Sequence, residues 1–375
     1  MADKNVPDIW FNLCLATSSA ILLLTAPFVG IKLDEKWQNI SGLRVTTIAI
    51  IFFYGLTAFF ALKNYAVPAL AFFTIGQYFF ALSFSFYTPL INVISPPNKR
   101  GLVSGIGFVG NFMGNIAGLL LAAPFATGKI NLFGELSRAE TIVPAISAFL
   151  LFSLPMLLFF KEPKKENTTT QLEGNFLQKA TSIFQNRNIL IFLISFSLFN
   201  GAILTVINNL PIIFEKVWNT TDNTKALITL ATVIASVIGS FLFGHFADRF
   251  GDKKILVLIL ISWIVLLPVT AIMLNFYYFV ICCIISGLFI GANATVSRTT
   301  MTNLATNKNY NLGFSYFNII ERASIIIGPI IWGTVVSSFT SFGIARYQFA
   351  LLAMALIVFS GLIFLLKKSR PFSSG

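Results

Sequence analysis

Charge is scarce in this sequence. Lys and Arg number 26 and Asp and Glu 14, together 11% of 375 residues, against roughly 25% in an ordinary soluble domain. Histidine occurs once, as His245, and cysteine three times, as Cys14, Cys282 and Cys283. One histidine excludes a histidine-rich metal centre. The cysteines sit in apolar runs without metal-ligand spacing and read as small buried residues, which excludes a disulfide-stapled secreted domain as well. No GxxxxGK[ST], HExxH or GxSxG pattern is present, so the chain offers no ATP-binding P-loop and no hydrolase constellation. It calls for no cofactor and reads as a non-enzyme. The first nine residues, MADKNVPDI, lack the basic region of a signal peptide.

What is abundant is apolar. Hydrophobic residues make up 56% of the chain, Phe alone occurs 41 times, and the mean hydropathy is +0.81. A bilayer crossing needs about 20 mostly apolar residues. Eleven runs qualify, at roughly 10–30, 43–62, 66–90, 103–126, 142–160, 188–212, 224–246, 255–275, 277–297, 313–336 and 345–366. A soluble protein can hide one such helix in its core, but not eleven. In lipid every backbone N–H and C=O must find a partner, and a helix supplies it locally. A barrel would instead show short alternating strands. The pattern therefore predicts an all-α membrane protein.

The longest connection, 161–187, is polar at first and semi-amphipathic from Phe176 to Phe184. Five spans precede it and six follow. This predicts an incomplete N-terminal bundle over 1–160, a cytoplasmic linker over 161–187, and a C-terminal bundle over 188–375. The net charge of +12 would invite a nucleic-acid reading in a soluble protein. Here it fits the excess of Lys and Arg on the cytoplasmic face of membrane proteins, and no nucleic-acid partner is expected. With the N-terminus outside, eighteen basic residues fall on inner segments, from Lys32 and Lys36 through Arg298 and Lys308 to Arg370. Seven fall outside, and Arg322 lies within a run. The topology predicted is N-terminus out and C-terminus in, in a bacterial cell (inner) membrane. Many transporters consist of matched six-helix halves, so five plus six spans point to an absent first helix.

The clearest motif runs Gly244-His245-Phe246-Ala247-Asp248-Arg249-Phe250-Gly251-Asp252-Lys253-Lys254, between the seventh and eighth runs. Gly244 admits a neighbouring backbone. Asp248 can pair with Arg249 or cap a neighbouring helix end. Gly251 permits a tight reversal, and Lys253 and Lys254 anchor the loop inside. After the first run, Gly30-Ile31-Lys32-Leu33-Asp34-Glu35-Lys36 keeps the Gly-to-Asp spacing but has Glu35 where Arg is expected. The pattern GxxxDRxGxKK resembles the signature loop of the major facilitator superfamily. In that superfamily the first copy follows the second helix, and here it follows the first. The resemblance implies two helical bundles around a central cavity, with substrate held near mid-depth and exposed alternately to each side.

The stretch YTPLINVISPPNKRGLVSGIGFVGNFMGNIAG, Tyr87 to Gly118, resembles the vacuolar effluxer-like family, which includes the autophagy-related amino-acid effluxers of fungal vacuoles. Phe199-Asn200-Gly201 with Thr205-Val206 is similar to its aspartate-glycine-x-x-threonine region, with Asn200 in place of the acid. Leu154-Pro155 before Lys161-Glu162, and Gly328-Pro329 followed by Gly333, also fit. The resemblance implies export of a small solute, amino acids among them, coupled to a proton gradient. Expected partners are a small-molecule substrate, membrane lipids and protons. The rivals are a non-transporting receptor or scaffold, an inactive remnant, and a lipid flippase on the same fold.

Polar groups inside the runs are the candidate site. Glu321 and Arg322 fall in FNIIERASIIIGP, and a charge at the bilayer centre costs about 2.5–3.5 kcal/mol on insertion scales. Adjacent helix positions point about 100° apart, so each of these two residues needs a partner on another helix. Asn318, Ser324 and Gly328 continue the Glu321 face. A coupling role and an interhelical ion pair both remain open. Asn111 and Asn115 share a face suited to a zwitterionic or hydroxylated solute, or to a tie between helices. Asn200, Thr205, Asn208 and Asn209 precede Pro211, either as a discontinuous site or as an ordinary helix end. Gln77 and Tyr87 are weaker candidates. Stripes of small residues, Gly110/Gly114/Gly118, Ala231/Ala235/Gly239 and Gly287/Gly291/Thr295, predict close helix packing.

Overall fold

A computed structural model describes residues 7–35, 38–126, 129–131, 138–162, 175–305 and 310–367. Lys36, Lys308 and linker residues 163–174 lie outside the described residues. Eleven helices are long and apolar enough to cross a membrane. In chain order they are α1 (Pro7–Glu35), α2 (Asn39–Leu62), α3 (Ala66–Tyr87), α4 (Arg100–Ala126), α5 (Ile142–Phe159), α6 (Arg187–Lys216), α7 (Asp222–Phe250), α8 (Asp252–Ile272), α9 (Phe276–Leu304), α10 (Tyr310–Ser338) and α11 (Ala345–Leu366). No strand occurs among the described residues. A short helix, Phe176–Thr181, lies in the linker.

Local chemistry sets the helix ends. The Asn186 side chain accepts from the backbone N–H of Asn188 and Ile189 and opens α6. Asn275 does the same for α9 through Tyr277 N. Gly251 turns the chain between α7 and α8 at φ +96°, a value that strains residues with a Cβ. Proline interrupts little: α6 runs unbroken through Pro211 to Lys216. The unwound segment considered there does not form, and Asn208 and Asn209 sit on continuous helix. Helix α9 extends to Leu304, seven residues beyond the apolar run. Arg298, counted above with the inner loops, is therefore a buried residue of the helix.

The described residues form two compact units. One draws on Met1–Val93, Gly114–Ala180 and Asn307–Tyr316, the other on Ile94–Met113, Thr181–Thr306 and Phe317–Gly375. In the first, α2 and α3 join through stacked Phe53, Phe72 and Phe79 rings and a Tyr54 hydroxyl that donates to Gln77 Oε1 at 2.6 Å. The Tyr78 hydroxyl donates to Thr25 Oγ1 and ties α3 to α1. Helix α5 is bare: no residue of its membrane window is buried. In the second unit α6 is the most buried span. Gly361 of α11 approaches the Ser195 carbonyl and Phe199 of α6.

Helices α7 and α9 pack backbone to backbone. A Cβ on Gly239 would overlap the Leu288 carbonyl, one on Gly287 the Thr232 carbonyl, and one on Gly291 the Ser236 carbonyl. Ser236 Oγ also donates to Gly287 O at 2.8 Å. Two of the small-residue stripes thus meet each other. The third does not serve as a packing seam. A Cβ on Gly110, Gly114 or Gly118 meets no atom within 4 Å, so small size there is not imposed by a neighbouring helix. Gly291→Ala is expected to lower thermal stability by about 1–3 kcal/mol through overpacking. Gly110→Ala should leave it unchanged or raise it by up to about 1 kcal/mol through helix propensity. Heat unfolding of the two variants in one detergent compares them directly.

Candidate functional site

The GxxxD loops are helix clasps. The first amides of a helix have no partner within their own helix and carry partial positive charge. In the second unit Asp248, near the end of α7, accepts from Gly101 N through Oδ1 at 2.6 Å and from Leu102 N through Oδ2 at 2.7 Å, at the start of α4. Gly244, one turn earlier, lies against the Gly101 carbonyl, where a Cβ would clash. The glycine lets the helix start come down onto α7, and the aspartate satisfies its amides. Arg249 does not pair with Asp248 but lies over the Phe250 ring, and Lys253 begins α8, partly buried. His245 is exposed.

The first unit repeats this arrangement. Asp34 accepts from Asn311 N at 2.9 Å and Asn311 Nδ2 at 2.7 Å through Oδ1, and from Leu312 N at 2.9 Å through Oδ2, at the start of α10. Gly30 faces Leu312 and Ser315 as Gly244 faces Gly101. Replacement of Arg by Glu35 leaves the aspartate's task intact. The two clasps make α1 equivalent to α7 and α4 to α10. By chain order, α2, α3 and α5 match α8, α9 and α11, which leaves α6 unmatched among the described helices. A third carboxylate works the same way: Glu162 accepts from Asn39 Nδ2 and Ile40 N, both at 3.0 Å, at the start of α2. Arg44 of α2 donates in return to the Leu157 and Phe160 carbonyls at the end of α5.

The mid-span polar residues of the second unit gather on α6, α9 and α10. Asn200 Nδ2 donates to Ser324 Oγ at 3.2 Å, and Ser324 Oγ donates to Glu321 O at 2.7 Å. Gly201 and Gly328 bring α6 and α10 together, with Thr205 against Gly328. Asn200, Thr205 and Asn318 are buried there, whereas Glu321 is exposed and Arg322 half-buried. Arg298 of α9 and Arg322 both lie within electrostatic range of Glu321. Arg298 escaped the sequence reading because it falls beyond the apolar run, although an arginine six residues from a helix end was the available signal. Asn208 is exposed on α6, and Asn111 and Asn115 are exposed on one face of α4.

A cavity of about 420 Å³ lies elsewhere, in the first unit, among Ile50, Ile51, Tyr54, Phe73, Phe80, Ala122 and the start of α5. Its walls are almost wholly apolar and suit hydrocarbon better than a polar solute.

Residues 9–221 and 206–375 each match the model of the Major Facilitator Superfamily. The chain belongs to the major facilitator superfamily. It is 22% identical over 343 residues to a Bacillus subtilis (strain 168) protein described as an uncharacterized MFS-type transporter, YxiO, an alignment covering 84% of this chain and 76% of that one. It is 30% identical over 208 residues to autophagy-related protein 22 of Candida glabrata, covering 52% of this chain and 37% of the yeast protein. Among solved structures, the E. coli fucose:proton symporter FucP aligns with a TM-score of 0.73 at 14% identity over 96% of this chain and 97% of its own. The proton:xylose symporter XylE aligns at 0.71 and 13% identity, over 94% and 85%. These structures share the fold. The major facilitator fold thus accounts for the eleven spans, and the chain is an integral multi-pass membrane protein.

Asp248→Asn keeps the shape of the clasp but removes the charge that faces two helix-start amides. It should cost about 1–2 kcal/mol, read as a lowered unfolding temperature. Arg249→Gln, which touches no clasp atom, should cost less than about 0.5 kcal/mol.

Proposed function

We propose that the chain is a secondary active transporter that exports a small solute, an amino acid, by alternating access and in exchange for protons. The observation that carries this reading is Glu321. It lies eleven residues into α10, about 17 Å along the helix from its start. Its side chain has accessible surface although protein surrounds it closely, and Arg298 and Arg322 lie in electrostatic range. An accessible carboxylate at that depth marks a polar pathway rather than a lipid-facing surface. A proton arriving there removes a charge that the membrane penalises, which is the elementary act of proton coupling. Asn200 and Ser324 beside it are buried and join α6 to α10, and buried Asn318 lies one turn before it, so the exposed Asn111–Asn115 face of α4 is the candidate surface for a polar solute. The similarity to autophagy-related protein 22 supports the effluxer-like reading, and the proton symporters that share the fold support the choice of coupling ion.

Transport in this reading proceeds by rocking of the sequence halves 1–160 and 188–375, during which the aspartate clasps open and re-form. In this reading the C-terminus, the linker and both GxxxD loops face the cytoplasmic side of a bacterial cell membrane, an orientation that the excess of Lys and Arg on those segments supports.

Radiolabelled amino-acid flux in proteoliposomes, with and without an imposed proton gradient, tests the proposal. The gradient should drive flux in the wild type. Glu321→Gln should abolish the gradient dependence while solute exchange persists. Flux that ignores the gradient and is unchanged in Glu321→Gln removes Glu321 from the mechanism.

A further inference from the structure

The Asp34 clasp differs from the Asp248 clasp in its next residue. The equivalence of Asp34 and Asp248 makes Glu35 the counterpart of Arg249, so the charge is reversed. Arg249 lies over its neighbour Phe250. Glu35 instead reaches the linker: Lys179 Nζ stands 2.6 Å from its Oε1, with the two side chains 22% and 11% exposed, and Lys32 Nζ is 3.7 Å from Oε2. The linker helix is well formed at that point. Asn175 N donates to Gln178 Oε1 at 3.0 Å, and Lys179 N donates to Asn175 O at 2.9 Å. A second contact arrives from α10, where the Tyr316 hydroxyl donates to the carbonyl of buried Ala180 at 3.0 Å. Tyr316 stands four residues after Leu312, one turn along the helix that Asp34 caps.

The linker helix therefore touches both partners of one clasp, α1 through Glu35 and α10 through Tyr316. We infer that Glu35 and Lys179 are positioning residues: through them the linker helix straps α1 to the start of α10 and holds the Asp34 carboxylate on the Asn311 and Leu312 amides. A charged pair this sheltered is screened less than a surface pair. It also fixes the last turn of α1, on which Asp34 itself is carried. The strap bears on the Asp34 clasp. The inference concerns folded-state geometry and stands whether or not the chain moves a solute.

Backbone amide exchange of the protein in lipid nanodiscs, read by mass spectrometry on peptides spanning Tyr310–Tyr316, tests the strap. Glu35→Lys and Lys179→Glu should each speed exchange at Asn311 and Leu312 by about fivefold, the factor expected for loss of roughly 1 kcal/mol. The double variant Glu35→Lys/Lys179→Glu should return exchange toward the wild-type rate. Peptides containing Gly101 and Leu102 should be unchanged throughout. Glu35→Gln, which adds no repulsive charge, provides the same reading should either charge reversal fail to fold. Exchange at the wild-type rate in the single variants and in Glu35→Gln, or a double variant as fast as the singles, overturns the strap.

Discussion

A helix in lipid satisfies its own backbone except at its ends, where the first amides point outward with nothing of their own to bond. In this protein three of those ends are met by carboxylates from distant parts of the chain: Asp34 for α10, Asp248 for α4 and Glu162 for α2. Each carboxylate spreads its two oxygens over adjacent donors, and for Asp34 and Asp248 a glycine one turn back makes the approach possible. The spacing Gly-x-x-x-Asp is thus a packing distance and a charge placed on the same helix face. The clasps tie the start of α4 to α7 and the start of α10 to α1, each within one compact unit.

The spans and the clasp residues were legible in the sequence because both are local signals. A run of twenty apolar residues declares itself, and so does a glycine four residues before an aspartate at a boundary. The identity of the partner was not legible. Asp248 and Gly101 are 147 residues apart, and Asp34 and Asn311 are 277 apart, and nothing in either loop names the amide it will meet. The small-residue stripes show the same limit. Gly239, Gly287 and Gly291 face backbone, while Gly110, Gly114 and Gly118 have the same spacing and face nothing, because a stripe records what a helix allows and not what stands opposite. Arg298 was missed for a different reason: hydropathy ends a span at its first charge, but hydrogen bonding carries α9 on to Leu304. Glu35 read as a lapse in the motif, and its partner Lys179 became visible only when the linker helix was placed beside it.

The mid-span groups divide by the same logic of partners. Asn200, Thr205 and Ser324 are spent on the contact of α6 with α10. Glu321, on the same helix as Ser324, keeps an accessible carboxylate. Glycines at Gly201 and Gly328 draw the two helices together around buried hydroxyls and an amide. The acid lies at the edge of that seam, one turn from Ser324.

The bareness of α5 carries one more consequence. Its counterpart α11 leans on α6, and Arg44 and Glu162 hold only the C-terminal end of α5 and the chain just beyond it. The start of α5 lines the apolar cavity with α2, and over its exposed positions acyl chains can take the place of neighbouring side chains, at little hydrophobic cost because lipid tails are as apolar as leucine. The first unit is then partly built from its solvent. Bilayer thickness and chain order become terms in its folding free energy.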